Sequence, residues 1–431
     1  MQKVQSGGAE IAALEAQAAR AIQTGREAEA AALWQRILEI DPRHRGSLMA
    51  LGQIAFRRGD MQSARASFQR LVQSGRADTQ GWIQLALACQ RLGDAAGEEG
   101  ALRGALSVDP TDLLALVLRG NLYERQGRTH EAARAYGAAA TVAPPMERLH
   151  PDLKPSVAHA AAFKRKYDAD CAAFLDDYLA PHLREHGALE AARFRESVDI
   201  LVGRKRRYDS QSAIYHYPRL PSIEFHERSA FPWLEEVEGA TDALRDEFLA
   251  VLDTEEGFTP YITYPDDVPH NQWAELNNSP RWSAFHLYKL GRRVEENAAR
   301  CPRTLEVLGK VPQPLQAGRT PAAMFSLLKP RTRIPPHMGV TNVRLVTHLP
   351  LIVPEGCGFR VGNDTRHWVP GKAWVFDDTI EHEAWNDSDK LRVVLIFDVW
   401  NPLLSPEERS LVSALAAGLQ AFSGAPSGYQ A

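Results

Sequence analysis

Residues 326–349 read SLLKPRTRIPPHMGVTNVRLVTHL, and residues 371–400 read GKAWVFDDTIEHEAWNDSDKLRVVLIFDVW. Apolar and polar residues alternate from Asn342 to Leu349, which is the pattern of a β-strand with one buried face. Further short strand patterns follow at 358–361, 373–376 and 391–399, separated by the turn sequences Pro-Glu-Gly, Pro-Gly-Lys and Asn-Asp-Ser. Many short strands separated by turns predict a sandwich or barrel, here a double-stranded β-helix of the jelly-roll type.

Two histidines and one arginine of this region have the chemistry of an oxygenase site. Neutral imidazoles at His337 and His382 can hold Fe(II) and leave positions open for O2 and a co-substrate. The guanidinium of Arg392 can bind a carboxylate in bidentate fashion, and its place in the strand predicts that it points into the barrel. We therefore predict an Fe(II) site with an anchor for 2-oxoglutarate. The carboxylate ligand usual two residues after the first histidine is absent, because Gly339 stands there.

The first third of the chain repeats with a period of 34 residues. Glycine recurs once in each repeat, at Gly25, Gly59, Gly93 and Gly127. Small residues form a second series, at Gly52, Ala86 and Gly120, and would let paired helices approach closely. The period resembles that of tetratricopeptide repeats, whose helix pairs stack into an α-solenoid.

These patterns predict a multidomain α + β chain. We expect a tetratricopeptide array at 9–145, a helical bridge at 146–208 and a double-stranded β-helix oxygenase domain at 209–420. The array implies a concave surface that binds peptides or proteins, and the alternative is a spacer or dimerisation role.

The composition excludes several classes of protein. A net charge of −4 over 431 residues predicts no general attraction to nucleic acid or to an anionic membrane. No apolar run approaches the roughly 20 residues of a membrane helix, and the N-terminus has no secretory pattern. The cysteines, Cys89, Cys171, Cys301 and Cys357, are scattered, as free thiols of a reducing compartment are. We expect a cytoplasmic protein.

Several motifs together resemble the aspartyl/asparaginyl β-hydroxylases. They are the segment from Ser326 to Leu349, the segment from Gly371 to Asn386, and Arg392 followed by Phe397-Asp-Val-Trp-Asn-Pro402. Upstream, Trp282-Ser-Ala-Phe-His-Leu-Tyr288 and Glu295-Glu-Asn-Ala-Ala-Arg300-Cys-Pro also resemble that family. The likeness covers roughly 210–410, and a tetratricopeptide array before it matches the family's domain order.

The resemblance implies a role for each matching residue. His337 and His382 would be the iron ligands, with water in place of the missing carboxylate. Arg392 would bind the distal carboxylate of 2-oxoglutarate, and Ser326 and His348 would also contact this co-substrate. We add Arg344 to the cofactor-binding candidates. The chain departs from the family at Val346, where members can carry an arginine that helps hold the co-substrate.

Alternatives remain open at this stage. Arg392 could instead pair with Asp377 or Asp398 inside the fold. The resemblance implies hydroxylation of the β-carbon of Asp or Asn in a peptide, and a cation should then recognise the substrate carboxylate; the candidates are Arg344, Arg366, Arg300 and Lys329. A second hypothesis keeps the chemistry with a free amino acid, a lipid or a small metabolite as substrate. A third is a tetratricopeptide adaptor with an inactive or sensing core. The oligomeric state is open.

Overall fold

The computed structural model describes residues 2–254, 256–265 and 267–423. The chain divides into two compact units, Met1–Arg204 and Lys205–Ala431. The predicted order, a helical repeat array followed by a β-rich domain, is confirmed. The finer domain limits at 145 and 208 remain predictions.

The described part of the first unit is formed by α-helices joined by short turns. These are α1 (Gln2–Gln23), α2 (Glu27–Ile40), α3 (Arg45–Arg57), α4 (Met61–Gln73), α5 (Thr79–Arg91), α6 (Ala95–Val108), α7 (Leu113–Arg125), α8 (Thr129–Val142), α9 (Lys154–Leu183) and α10 (Ala188–Leu201). Each helix from α1 to α8 packs against the next one along the chain. This stacking of neighbours is the arrangement of a solenoid.

The repeated glycines have two distinct structural roles. Gly25, Gly59, Gly93 and Gly127 have positive φ angles and make the turns within helix pairs, a conformation that costs glycine little. Gly52 and Gly120 lie where helices touch, and an added Cβ would overlap the rings of Phe68 and Tyr136 respectively. The four helices from α4 to α7 each follow an aspartate whose side chain accepts a backbone N–H bond from three residues on; these are Asp60, Asp78, Asp94 and Asp112.

The second unit combines strands with short helices. Its helices are α11 (Leu234–Gly239), α12 (Thr241–Leu252), α13 (Glu295–Ala298), α14 (Pro302–Leu308) and α15 (Pro406–Ser423). Its strands are β1 (Phe258–Pro260), β2 (Trp282–Lys289), β3 (Arg292–Arg293), β4 (Ala323–Leu328), β5 (Thr332–His337), β6 (Arg344–Ile352), β7 (Cys357–Val361), β8 (Asp364–Arg366), β9 (Trp374–Phe376), β10 (His382–Asn386) and β11 (Arg392–Trp400).

The strands form two sheets with antiparallel pairing. The larger sheet has the order β1-β2-β4-β11-β6-β9, with β3 paired to β2. The smaller sheet has the order β5-β10-β7-β8. Non-sequential neighbours such as β4, β11 and β6 show that the chain crosses between sheets, as in a jelly roll. The predicted double-stranded β-helix therefore matches this architecture.

The two larger apolar clusters of the described second unit lie against its sheets. One joins α11, α12 and α14 to the outer face of the larger sheet, with Leu244, Phe248, Phe325 and Phe397 at its centre. The other lies between the two sheets and includes Trp282, Ile334, Phe359 and Phe376. The second cluster leaves a cavity between the sheets, and this cavity holds the candidate site. Across the described residues, no helix is both long enough and apolar enough to span a bilayer.

Candidate functional site

His337 and His382 face each other across two paired strands. They are register partners between β5 and β10, and their ring centroids are 4.0 Å apart. His382 is buried, and both rings lie among aromatic side chains, with Trp273 5.0 Å from His337 and Phe376 5.6 Å from His382. Strand pairing thus brings together two histidines that are 45 positions apart in the sequence.

Backbone hydrogen bonds determine the tautomer of both histidines. Nδ1 of His337 lies 2.8 Å from the carbonyl of Pro335, and Nδ1 of His382 lies 3.0 Å from that of Ile380. A carbonyl can only accept, so each Nδ1 donates and each Nε2 keeps its lone pair for a ligand. Burial lowers the pKa of His337 to about 3 and that of His382 to about 4, so both rings are neutral near pH 7.

Arg392 lies at one end of the same cavity, which we call the inner end. Its side chain is only 1% exposed, and its guanidinium lies over the ring of Trp368, 4.6 Å from the centroid. Nη1 is 3.4 Å from the hydroxyl of Ser326, which also accepts a bond from the indole of Trp282 at 3.2 Å. Nε has no hydrogen-bond partner among the described residues.

The alternative ion pairs of Arg392 are not formed. Asp377 accepts bonds from the backbone and the hydroxyl of Thr379, and Asp398 lies 3.2 Å from Arg344. Within the described chain, no carboxylate pairs with Arg392, and burial lowers the pKa of its guanidinium to about 10. A buried cation without an anion is costly, so this site is suited to an anionic ligand.

Arg344 is held by two buried carboxylates at the opposite end of the cavity. Nη2 is 2.9 Å from Asp378, and Nη1 is 3.2 Å from Asp398 without hydrogen-bonding geometry, so N–H groups of Nη1 remain available. Burial opposes its charge, but the two carboxylates raise the pKa of Arg344 above its ordinary value. Burial also raises the pKa of Asp398 to about 6.

The four cations predicted as candidates for binding a substrate carboxylate differ in whether they line the cavity. Arg344 lines the cavity. Arg366 pairs with Asp364, and Arg300 donates to the hydroxyl of Thr254 and to nearby carbonyls. Lys329 is exposed at the end of β4. Of these four, only Arg344 is among the described residues that line the cavity, so Arg300, Arg366 and Lys329 are poorly placed for that role.

Gly339, which stands where a carboxylate ligand is usual, lies against Asp378, and this contact leaves no room for a side chain at position 339. A Cβ at position 339 would overlap the Asp378 carboxylate, and the backbone N–H of Gly339 donates to the Asp378 carbonyl at 2.6 Å. Asp378 itself is engaged by Arg344. In the described part of the chain, no three His, Cys, Asp or Glu side chains are grouped closely enough to form a metal site by themselves.

His348 and Val346 occupy alternate positions of β6 and both line the cavity. Nδ1 of His348 is buried without a partner among described residues, and burial together with the charge of Arg392 holds its pKa well below the usual range. Val346 is the register partner of Asp398 on β11. His348 thus offers a hydrogen-bonding nitrogen to the cavity. Val346 offers no positive charge at the position where family members can carry an arginine.

Some residues that line the cavity or lie beside it carry no sequence signal that singles them out. Trp368, which supports Arg392, and Gln316, which comes from a loop before β4, belong to no motif considered above. His286 lies in the segment Trp282–Tyr288, and Lys289 directly follows that segment. Strand register pairs His286 with Met324 of β4 and Lys289 with Arg292 of β3.

Two sheets around a paired-histidine cavity define a double-stranded β-helix domain, preceded here by tetratricopeptide repeats. The family profile described as Aspartyl/Asparaginyl beta-hydroxylase matches residues 238–402, and a tetratricopeptide repeat profile matches residues 15–80. The chain is 37% identical over 200 residues to the ornithine lipid ester-linked acyl 2-hydroxylase of Rhizobium tropici, covering 46% of this chain and 67% of that protein. It belongs to the aspartyl/asparaginyl β-hydroxylase family, as the motifs predicted.

Three further comparisons have lower sequence identity. Human aspartyl/asparaginyl beta-hydroxylase is 29% identical over 364 residues, covering 83% of this chain and 43% of the human protein. The chain thus spans less than half the length of this relative and of its mouse counterpart, of which it covers 44%. The crystal structure of MamA protein aligns with a TM-score of 0.33 and 18% identity, covering 40% of this chain and 96% of that one.

Proposed function

We propose that this chain is an Fe(II)- and 2-oxoglutarate-dependent dioxygenase that hydroxylates a carbon of its substrate. The observation that carries the proposal is the buried guanidinium of Arg392, which has no carboxylate partner among the described residues and shares one cavity with the histidine pair. The hydroxylases among its relatives support the reaction class.

His337 and His382 are the residues that would hold the iron. Both donate Nδ1–H to backbone carbonyls, which orients the rings and leaves Nε2 available. Two neutral nitrogen donors fit Fe(II), and burial keeps protons off them near pH 7. When bound, the metal supplies the activation of O2 that side chains alone cannot provide.

Arg392 and Ser326 would bind the distal carboxylate of 2-oxoglutarate. The guanidinium offers a charged hydrogen-bonding fork, and the Trp368 ring below it restricts its orientation. His348 lies within the same cavity, and its unpartnered Nδ1 is available to the co-substrate. The surrounding aromatic side chains exclude water and strengthen these polar contacts.

Arg344 would orient the substrate at the other side of the histidine pair. Its remaining N–H groups on Nη1 can donate to an oxygen of the substrate, while Asp378 and Asp398 hold its position. In the first form of the proposal the substrate is an Asp or Asn side chain of a peptide, which the tetratricopeptide array presents. Two observations support a peptide substrate: the name of the human relative, and the concave binding surfaces that stacked repeats of this kind form.

A second form keeps the chemistry but places the reaction on a lipid or another small molecule. It is supported by the 37% identity to an enzyme named for acyl hydroxylation of ornithine lipid. The two forms share the residues His337, His382 and Arg392 and differ only in what reaches the cavity.

The test is succinate release by iron-loaded protein given 2-oxoglutarate and O2, with and without Asp- and Asn-containing peptides. Peptide-stimulated succinate with a gain of one oxygen in peptide mass would support the first form. Succinate that no peptide stimulates would direct the search to lipids and small molecules. Absence of both succinate and bound iron would refute the proposal and favour an adaptor.

A further inference from the structure

The cavity continues beyond the histidine pair to an outer end formed by two loops. Along β11, Arg392 and Asp398 both line the cavity, about 20 Å apart at roughly 3.3 Å per residue. Beyond Asp398 the cavity is bordered by the turn after β2 and by the loop before β4. These two segments are joined by a bond from the N–H of Gly291 to the carbonyl of Pro321, 3.3 Å long.

The outer end carries polar groups that the protein itself does not satisfy. Gln316 is 4% exposed and lines the cavity, yet its Nε2 has no hydrogen-bond partner among the described residues. Nδ1 of His286 is also buried and unpartnered. Unpartnered buried polar atoms are rare in proteins, so these two beside an open cavity indicate a ligand that accepts from Gln316 and exchanges a hydrogen bond with His286.

Both cations and carboxylates line this end of the cavity, and its two carboxylates, Asp378 and Asp398, pair with Arg344. Lys289 lines the outer end, and no carboxylate of the described residues lies within ion-pair distance of it. Its charge acts on His286, which together with burial keeps that imidazole neutral. Arg319 lines the cavity in the same loop as Gln316. Lys289 therefore adds a positive charge at this end that favours an anion.

An apolar section separates the outer end from the inner end. Met324 of β4 and Ile396 of β11 are register partners, and both line the cavity between Arg392 and the outer loops. His286 of β2 is the other register partner of Met324 and marks the level at which the outer end begins. Val346 on β6 and Leu290 in the turn after β2 add to this wall. A ligand that reaches both the histidine pair and the outer loops must therefore present apolar atoms between them.

We propose that Gln316, His286 and Lys289 form a second subsite, which binds the carboxylate or phosphate of an anionic amphiphile whose apolar stem reaches the histidine pair. The proposal rests on the proposed function, because that function makes the histidine pair the place of reaction. It names the substrate class: an oxyanion joined to the hydroxylated carbon through an apolar stem. Such an anion is found in free organic acids and phosphates and in lipid headgroups.

The test is calorimetric titration of the full chain with hexyl phosphate, without metal or 2-oxoglutarate. Wild-type protein should bind the probe more tightly than inorganic phosphate, because the apolar section contacts the stem. Gln316→Glu, which keeps the side-chain size and adds a repelling charge, should weaken binding roughly 10- to 100-fold. Lys289→Gln should weaken it as well, and Lys390→Gln, which removes the same charge at an exposed position outside the cavity, should not.

Arg392→Met shows which end holds the anion. Retained binding in this variant, with loss in Gln316→Glu and Lys289→Gln, supports the outer subsite. Loss only in Arg392→Met places the anion at the inner end and overturns the subsite, as does an absence of binding to wild-type protein. If Gln316→Glu does not fold, Lys289→Gln still decides, because Lys289 is only partly buried.

Two further measurements distinguish a lipid headgroup from a free anion as the ligand of the subsite. In the first, the protein is sedimented with phosphatidylcholine vesicles that contain phosphatidic acid. Binding to these vesicles that hexyl phosphate displaces indicates that the subsite takes a lipid headgroup. Binding of hexyl phosphate without vesicle binding indicates a free anion, and both results support the subsite. Because the titration uses no iron or 2-oxoglutarate, its failure is independent of whether the protein releases succinate.

Discussion

The guanidinium of Arg392 lies over the indole of Trp368, 4.6 Å from the ring centroid, in a position that no carboxylate of the described chain reaches. The aromatic face offsets only part of the cost of burying a cation. A cation that is buried without a carboxylate partner favours the binding of a ligand with the opposite charge. This relationship links the fold to the proposed co-substrate.

Arg392→Met should abolish stabilisation by 2-oxoglutarate without destabilising the free protein. A ligand at 100 times its Kd adds about 2.7 kcal/mol to the stability of a protein that binds it. We expect wild-type protein to gain a shift of this size and the variant to gain little, whereas Arg333→Met, at an exposed ion pair with Asp387, should behave as wild type. Thermal unfolding with and without 2-oxoglutarate measures this, and equal shifts in both proteins would exclude Arg392 as the anchor.

Gly339→Ala should destabilise the second unit by about 1–3 kcal/mol, because the new Cβ overlaps the carboxylate of Asp378. That carboxylate cannot move freely, since Arg344 holds it at 2.9 Å. The penalty should shrink when Asp378→Ala is also present. A double-mutant cycle by denaturant unfolding measures the coupling, which we expect to be about 1 kcal/mol or more. Additive effects would show that the two positions are not in contact.

Gly120→Ala should destabilise the repeat array, because a Cβ there overlaps the ring of buried Tyr136. We expect a loss of about 1–3 kcal/mol, the usual cost of overpacking. Gly100→Ala is the matched control, since Gly100 is exposed in α6 and has no atom within 4 Å of an added Cβ. It should raise stability by up to about 1 kcal/mol through helix propensity. Calorimetric unfolding of both variants compares the two effects, and equal destabilisation would argue against the close helix packing.

Metal-free protein should lose stability as the pH falls from about 6.5 toward 4. Burial lowers the pKa of His226 to about 4, so between that value and 6.5 the unfolded chain binds a proton that the folded chain does not. The same sign holds for four other histidines whose pKa desolvation lowers, His286, His337, His348 and His382. Burial raises the pKa of Asp377 and Asp398 to about 6, so these two groups add stability as the pH falls, but they are fewer than the histidines.

His226→Gln isolates one of these contributions. His226 is outside the lining of the cavity, so the variant leaves the site intact. Its melting temperature should fall less steeply with acidification than that of wild-type protein over the same pH window. An unchanged slope would mean that His226 already takes up its proton in the folded state.

The sequence by itself determined the features that depend on neighbours along the chain. The repeat of 34 residues and its glycines specified stacked helix pairs, because each pair is built from contacts between adjacent segments. The short strand patterns and turns specified a two-sheet domain, and the motifs around His337, His382 and Arg392 indicated the family. Alternation along β11 also placed Arg392 and Asp398 on one face before any pairing was known.

Only the tertiary structure decided which charges meet. Arg344 faces Asp378 and Asp398, while Arg392 faces no carboxylate of the described residues, although all four lie in strands or turns of similar composition. Arg300, Arg366 and Lys329 were equally good candidates in sequence, yet they are not among the cavity-lining residues described. The reason is physical: partners across a sheet are set by strand order and register, which depend on the packing of the whole domain and on no single local pattern.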